Sequence, residues 1–67
     1  LETEVPQTLV GRPVRDLTLP GEIHVVAISR DGKTFLPTPG ATFQEGDRLH
    51  LATLTTSTSR LRELLGY

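Results

Sequence analysis

The feature that most constrains the fold is an eight-residue apolar run that ends at an Asp-Gly pair. Apolar side chains occupy both odd and even positions of Ile23 to Arg30, which is typical of a central strand. Asp31-Gly32 follows directly and favours a tight hairpin, because both positions accept positive φ. We therefore predict a return strand from Lys33 to Leu36. Within the first strand, alternation predicts one face with Ile23, Val25 and Ala27 and an opposite face with Val26 and Ile28.

Two further strands flank this hairpin in the sequence. Leu1 to Pro6 alternates apolar or hydroxyl residues with glutamates, which predicts a half-buried strand with a charged outer face. Arg48 to Leu54 alternates in a similar way after the turn at Glu45-Gly46-Asp47. We therefore predict four strands in all.

Two helical segments complete the predicted fold. Val10 to Leu17 indicates a short helix after the first strand, since Pro13 suits a first helical turn. A leucine stripe near the C-terminus follows a hydroxyl-rich segment suited to N-capping and ends at Gly66. The order strand-helix-strand-strand-strand-helix predicts an α+β fold with a small, mostly antiparallel sheet. The stripe comprises Leu61, Leu64 and Leu65.

The chain is short and has no cysteine. Its 67 residues can bury one core, so we predict a single domain over residues 1–67. The lack of cysteine excludes disulfides and thiolate metal sites. The chain begins at Leu1 without an initiator methionine, from which we expect a fragment of a longer protein. Small domains often gain stability by pairing with a copy of themselves.

The charge pattern argues against nucleic acid and membrane as direct partners. The formal net charge is −1, and the seven basic residues form no run that could follow a phosphate backbone. The aromatic residues are Phe35, Phe43 and Tyr67, too few for a base-stacking platform. No apolar stretch approaches the roughly 20 residues that span a bilayer. We expect a soluble domain that binds no nucleic acid.

The residues that usually carry catalysis are not arranged for it. His24 and His50 lie in separate predicted strands, and no H-x-x-x-H pattern is present. His24 is either a packed or partly exposed strand histidine or a residue that contacts a ligand. The carboxylates of Asp31, Glu45 and Asp47 suit turns. Since phosphate-loop and nucleophile-elbow motifs are also absent, we expect no enzyme activity, no metal and no cofactor.

Three arginines have more than one interpretation. Arg12 and Arg15 lie three apart near the predicted short helix, where they are either solvated or able to bind an anion. Arg30 precedes the Asp-Gly turn and can pair with Asp31 or Asp47, or line a cleft. The sequence leaves these alternatives open.

Four short motifs occur in an order and spacing that resemble one known family. They are LVGRPVRDLTLP at residues 9–20, VAISRDG at 26–32, FLP at 35–37 and QEGDRL at 44–49. Together they resemble the TrkA-C domain, also called the C-terminal domain of regulators of potassium conductance (RCK_C). The resemblance covers about Glu2 to Leu65. Most of these residues suit turns and packing, so they define a fold and not an active site.

The resemblance implies regulation of transport. Domains of this family usually lie at the cytoplasmic ends of potassium channels, gating subunits and cation/proton antiporters. They typically pair as homodimers, and some bind a small ligand between protomers. The resemblance therefore implies a cytoplasmic domain associated with a membrane transport protein or its gating subunit.

The resemblance also implies where a ligand would lie. In one branch the ligand is cyclic di-AMP, held partly by residues after the short helix and at the start of the next strand. That branch has an arginine where this chain has Pro20, and proline offers a phosphate no donor. The implied ligand-binding positions here are Leu19, Pro20, His24, Arg30 and Pro37.

Three functional hypotheses follow. The first is a ligand-sensing, dimeric regulatory domain of a potassium or other cation channel, transporter or antiporter. The alternative is a ligand-free structural oligomerisation module of a larger transport-related protein. A small hydrolase or transferase fragment would need a polar cluster that the sequence does not show.

Overall fold

Four antiparallel strands form one sheet in the computed structural model, which describes residues 1–66. The predicted α+β fold is confirmed. Tyr67, the last residue of the predicted domain, lies outside the described residues. The strands are β1 (Glu2–Glu4), β2 (Ile23–Arg30), β3 (Lys33–Phe35) and β4 (Arg48–Thr53). Their order across the sheet is β1-β4-β2-β3, so β2 and β4 are central.

The predicted hairpin is present where the sequence placed it. Asp31 has φ 51° and Gly32 has φ 78°, the positive values that a two-residue hairpin turn requires. Arg30 pairs directly with Lys33 across the turn. The β2–β3 connection is therefore determined by two residues of local sequence.

The predicted facing of Ile28 is wrong because β2 contains a β-bulge. Val25 pairs with Leu51, whereas Ala27 pairs with His50, so Val26 is an extra residue in the ladder. A bulge reverses the alternation of the residues that follow it. Ile28 therefore lies on the core face together with Ile23 and Val25, while Val26 is 45% exposed.

The segment predicted as one short helix from Val10 to Leu17 is helical only in its second half. Only Val14–Leu17 is helical, as a 3-10 helix, and another 3-10 helix occupies Gln7–Leu9. Gly11 has φ 85°, and Pro13 is extended and forms a β-bridge with Thr42. These two conformations are incompatible with a continuous helix.

The C-terminal helix α1 spans Thr58–Leu65 and follows a 3-10 helix at Thr55–Ser57. Gly66 closes α1 in the left-handed conformation with φ 88°, as predicted. The N-capping prediction is wrong: Ser57 occupies the cap position without a side-chain cap bond, and its hydroxyl donates to Glu22 instead. No helix within residues 1–66 is long and apolar enough to cross a membrane.

The core lies between one face of the sheet and the covering helices. Leu61 and Leu65 of α1 are buried there, while Leu64 is only partly buried. On the opposite face of the sheet, His24 and Val26 are exposed. The other buried core residues are Val5, Leu9, Val14, Leu17, Ile23, Val25, Ile28, Phe43, Leu49 and Leu51.

Candidate ligand-binding cleft

A small cavity lies beside the N-terminal half of β2. Its volume is about 110 Å³. Strand β2 supplies two of its residues, the 3-10 helix Val14–Leu17 and the residue after it supply three, and the loop after β3 supplies two. The walls are mostly apolar, with one guanidinium, one hydroxyl and one imidazole. The lining residues are Val14, Arg15, Thr18, His24, Val25, Pro37 and Pro39.

Hydrogen bonds hold the two walls of this cavity together. The backbone N–H of Val14 donates to the carbonyl of Ala41 at 2.7 Å, and that of Arg15 donates to Pro39 at 3.3 Å. The Thr18 hydroxyl donates to the Val14 carbonyl at 3.1 Å. Since proline also fixes φ in the loop, the cleft is largely preformed.

Two of the predicted site residues, His24 and Pro37, line the cavity together. His24 is exposed and also borders a shallow depression of about 260 Å³ that includes Ala52 and Leu54. His24 is therefore the partly exposed strand histidine that the sequence allowed, at a position open to a ligand. The two residues are brought together because β3 ends at Phe35 and the chain turns along the N-terminal half of β2.

Leu19 and Pro20 lie beside the cavity and are not among its lining residues. Leu19 exchanges two backbone hydrogen bonds with Ile23, at 3.0 and 2.8 Å, which closes a turn before β2. Leu19 packs against the core from a partly buried position, and Pro20 is exposed. The turn therefore positions the start of β2, and with it His24.

Arg30 lies at the opposite end of β2 and forms an ion pair with Asp47. Its Nε and Nη2 donate to the two carboxylate oxygens of Asp47, both at 2.8 Å, and Nη2 also donates to the Thr42 carbonyl at 3.0 Å. The guanidinium carbon is 5.0 Å from the centre of the Phe35 ring. Six residues of extended strand put Arg30 roughly 20 Å from His24. Of the alternatives for Arg30, pairing with Asp47 is the one observed.

Asp47 is fully buried, yet the structure stabilises its ionised form. The hydrogen bonds from Arg30 lower the pKa of Asp47 below its ordinary value of 3.8, and the Gln44 N–H acts in the same direction. Burial opposes this effect but is outweighed. The pair raises the pKa of Arg30 as well, through the same hydrogen bond. The arrangement fastens the turn before β4 to the end of β2.

A polar chain on the outer face of the sheet superficially resembles a catalytic arrangement. Nε2 of His50 lies 2.9 Å from Oγ of Ser29, and Nδ1 lies 3.7 Å from Oε1 of Glu2. Ser29 is also 2.8 Å from the Thr34 hydroxyl. However, neither Ser29 nor His50 lines the cavities described above. Within residues 1–66 there is also no group of three or more His, Cys, Asp or Glu side chains that could hold a metal ion.

Sequence reasoning did not associate Arg15 with His24 and Pro37. From the sequence, the Arg15 side chain was either solvated or able to bind an anion. The structure places Arg15 on the cavity wall opposite the strand that carries His24. Contact between Val14–Leu17 and β2 is non-local, so no motif could have indicated it. The only available signal was the unexplained basic charge in a segment next to the implied ligand positions.

Comparison with known proteins identifies one family. The model of the TrkA-C domain matches residues 2–66. No curated protein matches the chain.

Several solved structures share the fold. The RCK C domain of the potassium transport protein KtrA in complex with cyclic di-AMP has a TM-score of 0.77 and 21% identity, and the match covers 94% of this chain and 78% of that one. The RCK_C domain dimer of S. agalactiae BusR in complex with cyclic di-AMP has a TM-score of 0.72 and 20% identity, with 97% and 92% covered. BusR in complex with its busAB-promoter DNA gives the same TM-score and identity, but the match covers only 34% of that chain.

Proposed function

The chain belongs to the TrkA-C domain family, and we propose on that basis that it is a ligand-sensing, dimeric regulatory domain of a potassium or other cation transport system. Its place would be on the cytoplasmic side of a membrane transport protein or gating subunit. The observation that carries the proposal is the cavity beside β2, because His24 and Pro37, which the family resemblance implied as ligand-binding, line it together. Leu19 and Pro20 would position this site, and Arg30 would support the fold around it.

The size of the cavity supports a site shared between two copies. Pockets for whole small-molecule ligands usually have volumes of roughly 300–1,000 Å³, whereas this cavity has about 110 Å³. One protomer therefore offers space for only part of a nucleotide. A second copy placed over the cleft would enclose the remainder.

Exposed apolar side chains near the cleft support the same arrangement. We refer to Val26, Leu36 and Leu54 as the apolar rim; they are 45%, 79% and 50% exposed. Val26 is next to Val25 and Leu36 is next to Pro37, both of which line the cavity, and Leu54 borders the depression beside His24. Large apolar groups gathered beside a cleft are typical of an interaction surface.

The mechanism we propose is thermodynamic linkage. A ligand that contacts both protomers favours the dimer arrangement in which both half-sites face it. The transport protein would follow that arrangement, so ligand affinity and gating state would influence each other reciprocally. No catalytic step is needed, and the domain would act only by changing its own pairing geometry.

Dimerisation is tested by sedimentation of the isolated chain at about 100 μM, well above a typical weak-dimer constant. We expect a dimer for the wild type and a monomer for Val26→Glu, because a charge in the apolar rim would be desolvated by pairing. Ser59→Glu is the control, since Ser59 is exposed on α1, a helix that contributes no residue to the apolar rim. A monomeric wild type, or a Val26→Glu variant that pairs as tightly as Ser59→Glu, would exclude the proposed interface.

Ligand sensing is tested by thermal unfolding with a panel of nucleotides and monovalent cations that includes cyclic di-AMP. A ligand that binds only the folded state at 100 times its Kd stabilises it by about 2.7 kcal/mol, so the melting temperature rises. A dimer with no response across the panel would instead support a ligand-free oligomerisation module. A DNA partner is not proposed, because the chain has a net charge of −1.

A further inference from the structure

We infer that a groove between α1 and the Leu1 side chain binds an aliphatic carboxylate, the chemical class of a straight-chain fatty acid. The groove has a volume of about 510 Å³, within the range of roughly 300–1,000 Å³ that is usual for small-molecule pockets. It shares no lining residue with the cavity beside β2, so the inference goes beyond the proposed function and does not rest on it. The lining residues are Leu1, Thr58, Leu61, Arg62 and Leu65.

The apolar part of the groove consists of three leucines. Leu61 and Leu65 lie four residues apart on one face of α1 and are 1% and 3% exposed. Leu1 is 67% exposed, and the sheet fixes its position: its α-ammonium donates to the Leu51 carbonyl at 3.0 Å, and the Leu51 N–H donates to its carbonyl at 2.7 Å. A saturated hydrocarbon chain lying against these leucines would bury apolar surface without leaving a polar group unpaired.

Arg62 brings to this groove a guanidinium that no carboxylate neutralises within residues 1–66. No residue three or four positions away from Arg62 on α1 is acidic, so an ion pair along the helix is not possible. The adjacent Glu63 lines a different cavity, which does not include Arg62. The charge of Arg62 is therefore available to an anion in the groove. The arginines that do have carboxylate partners, at 2.8–3.2 Å, are Arg12, Arg30, Arg48 and Arg60.

A single guanidinium favours a carboxylate over a phosphate in this groove. Its planar fork of N–H groups matches two carboxylate oxygens. A phosphate monoester carries a charge of about −1.5 to −2 at neutral pH, and no second basic side chain lines the groove. The Thr58 hydroxyl donates its proton to the Thr55 carbonyl at 2.9 Å, so it has none to donate to a sugar or to a larger headgroup. These residues therefore suit a ligand with one singly charged end and an otherwise apolar chain.

The experiment is isothermal titration of the whole chain at low salt with decanoate, butyrate and decyltrimethylammonium, each below its micelle concentration. We expect decanoate to bind with a Kd of about 1 mM or tighter. Butyrate should bind at least tenfold more weakly, because each buried methylene contributes roughly a factor of four. Decyltrimethylammonium has the same chain with a cationic head, and it should also bind at least tenfold more weakly because Arg62 repels it.

Variants at the two ends of the groove test the assignment of each part. Arg62→Gln should raise the Kd of decanoate at least tenfold, through loss of the charge-assisted contact. Arg62→Lys should fall between Arg62→Gln and wild type, because lysine keeps the charge and loses the fork. Leu1→Ser should raise the Kd at least threefold, through loss of apolar contact. Lys33→Gln is the charge control: Lys33 is exposed on β3 and does not line the groove, so the Kd should change by less than about twofold. Since Leu1, Lys33 and Arg62 are all exposed, melting temperatures close to wild type are expected for every variant.

Several results would overturn the inference. Decanoate that does not bind wild type at millimolar concentration would exclude the site. Equal binding of decanoate to wild type and Arg62→Gln, or of decanoate and decyltrimethylammonium to wild type, would refute the carboxylate assignment. Sedimentation tests the other occupant of such a groove: if Leu1→Ser converts a wild-type dimer into a monomer, a second copy covers the groove and the inference is wrong. The titrations with decanoate have no bearing on the cavity beside β2, so ligand sensing there is judged by its own panel.

Discussion

Replacement of Asp47 by asparagine should remove a large part of the stability of this domain. Asp47 is fully buried and accepts three hydrogen bonds of 2.8 Å, two from Arg30 and one from the Gln44 N–H. Asparagine has a single oxygen acceptor and would turn an amide N–H₂ group towards Arg30 or Gln44. Breaking a buried pair by removing one partner costs about 3–5 kcal/mol.

The lower end of that range applies here. The Arg30 side chain is 25% exposed and keeps its bond to the Thr42 carbonyl, so it can recover part of its solvation. We expect Asp47→Asn to lower the free energy of unfolding by about 3 kcal/mol. The total free energy of unfolding of a domain of this length is roughly 3–10 kcal/mol. The variant would therefore be marginally folded in water.

Urea unfolding at pH 7, followed by circular dichroism, measures this loss. With a slope of about 1 kcal/mol per molar urea for a small domain, the midpoint should fall by about 3 M. Glu45→Gln is the control: Glu45 is exposed in the same turn, its one side-chain bond is to Gln7, and we expect a change within about 0.5 kcal/mol. If Asp47→Asn is unfolded in water, the comparison is made in an osmolyte that favours the folded state. A loss below about 0.5 kcal/mol would refute the reasoning.

The acid dependence of stability provides an independent check on the same carboxylate. Because the folded-state pKa of Asp47 is lowered, its contribution is fully present above the unfolded-state pKa, near 3.8, and is lost as pH falls through the lower folded-state pKa. As pH falls, wild type should therefore lose stability faster than Asp47→Asn. The difference between their free energies of unfolding should become smaller. A difference that stays constant from pH 7 to pH 2 would show that ionisation of Asp47 contributes nothing.

Three other substitutions test other parts of the fold by urea unfolding. Gly32→Ala should cost about 1 kcal/mol, because φ is 78° there and alanine is strained in the left-handed region; an unchanged midpoint would contradict the turn geometry. Leu61→Ala, at a residue 1% exposed, should cost about 2–5 kcal/mol, whereas a cost below that range would mean that α1 packs loosely. Glu22→Gln should cost about 1 kcal/mol, because its carboxylate accepts from Ser57 at 2.9 Å and from Arg60 at 3.2 Å; no effect would mean that this link between the turn and α1 is not stabilising.

The elements that sequence predicts well here are those that local residues determine. The Asp31-Gly32 turn needs only two positions that tolerate positive φ, and the C-terminal stop needs only Gly66. The boundaries of β2 also follow from its own apolar run. No distant contact is required to specify any of these features.

The features that sequence missed depend on distant pairing. The bulge at Val26 exists because β4 pairs with β2 in a shifted register, and alternation within β2 alone gives no sign of it. The break in the predicted helix depends on the bridge between Pro13 and Thr42, which are far apart in sequence. The sequence alone cannot show that the Ser57 hydroxyl bonds to Glu22 and does not cap the helix, because Glu22 is 35 residues away in sequence.

In the candidate site too, the sequence predicted some residues and missed others that depend on distant contacts. The family resemblance implied His24 and Pro37, and the fold brings these two residues to one cavity. The resemblance gave no indication of Arg15, because it implied no ligand contact at that position. Arg30 was ambiguous in the sequence, since the choice between a cleft and an ion pair depends on where the turn at Asp47 folds back.

The bulge at Val26 links the stability of the domain to its proposed site. After the bulge, Ile28 faces the core and Arg30 reaches the buried Asp47, so the C-terminal half of β2 is held tightly. Before it, His24 is exposed beside the cleft, and the bulged residue itself projects outwards to the apolar rim. An unbulged strand would place either the core contacts or the rim on the wrong side. One extra residue thus lets a single strand anchor the fold at one end and present the proposed ligand-binding and pairing surface at the other.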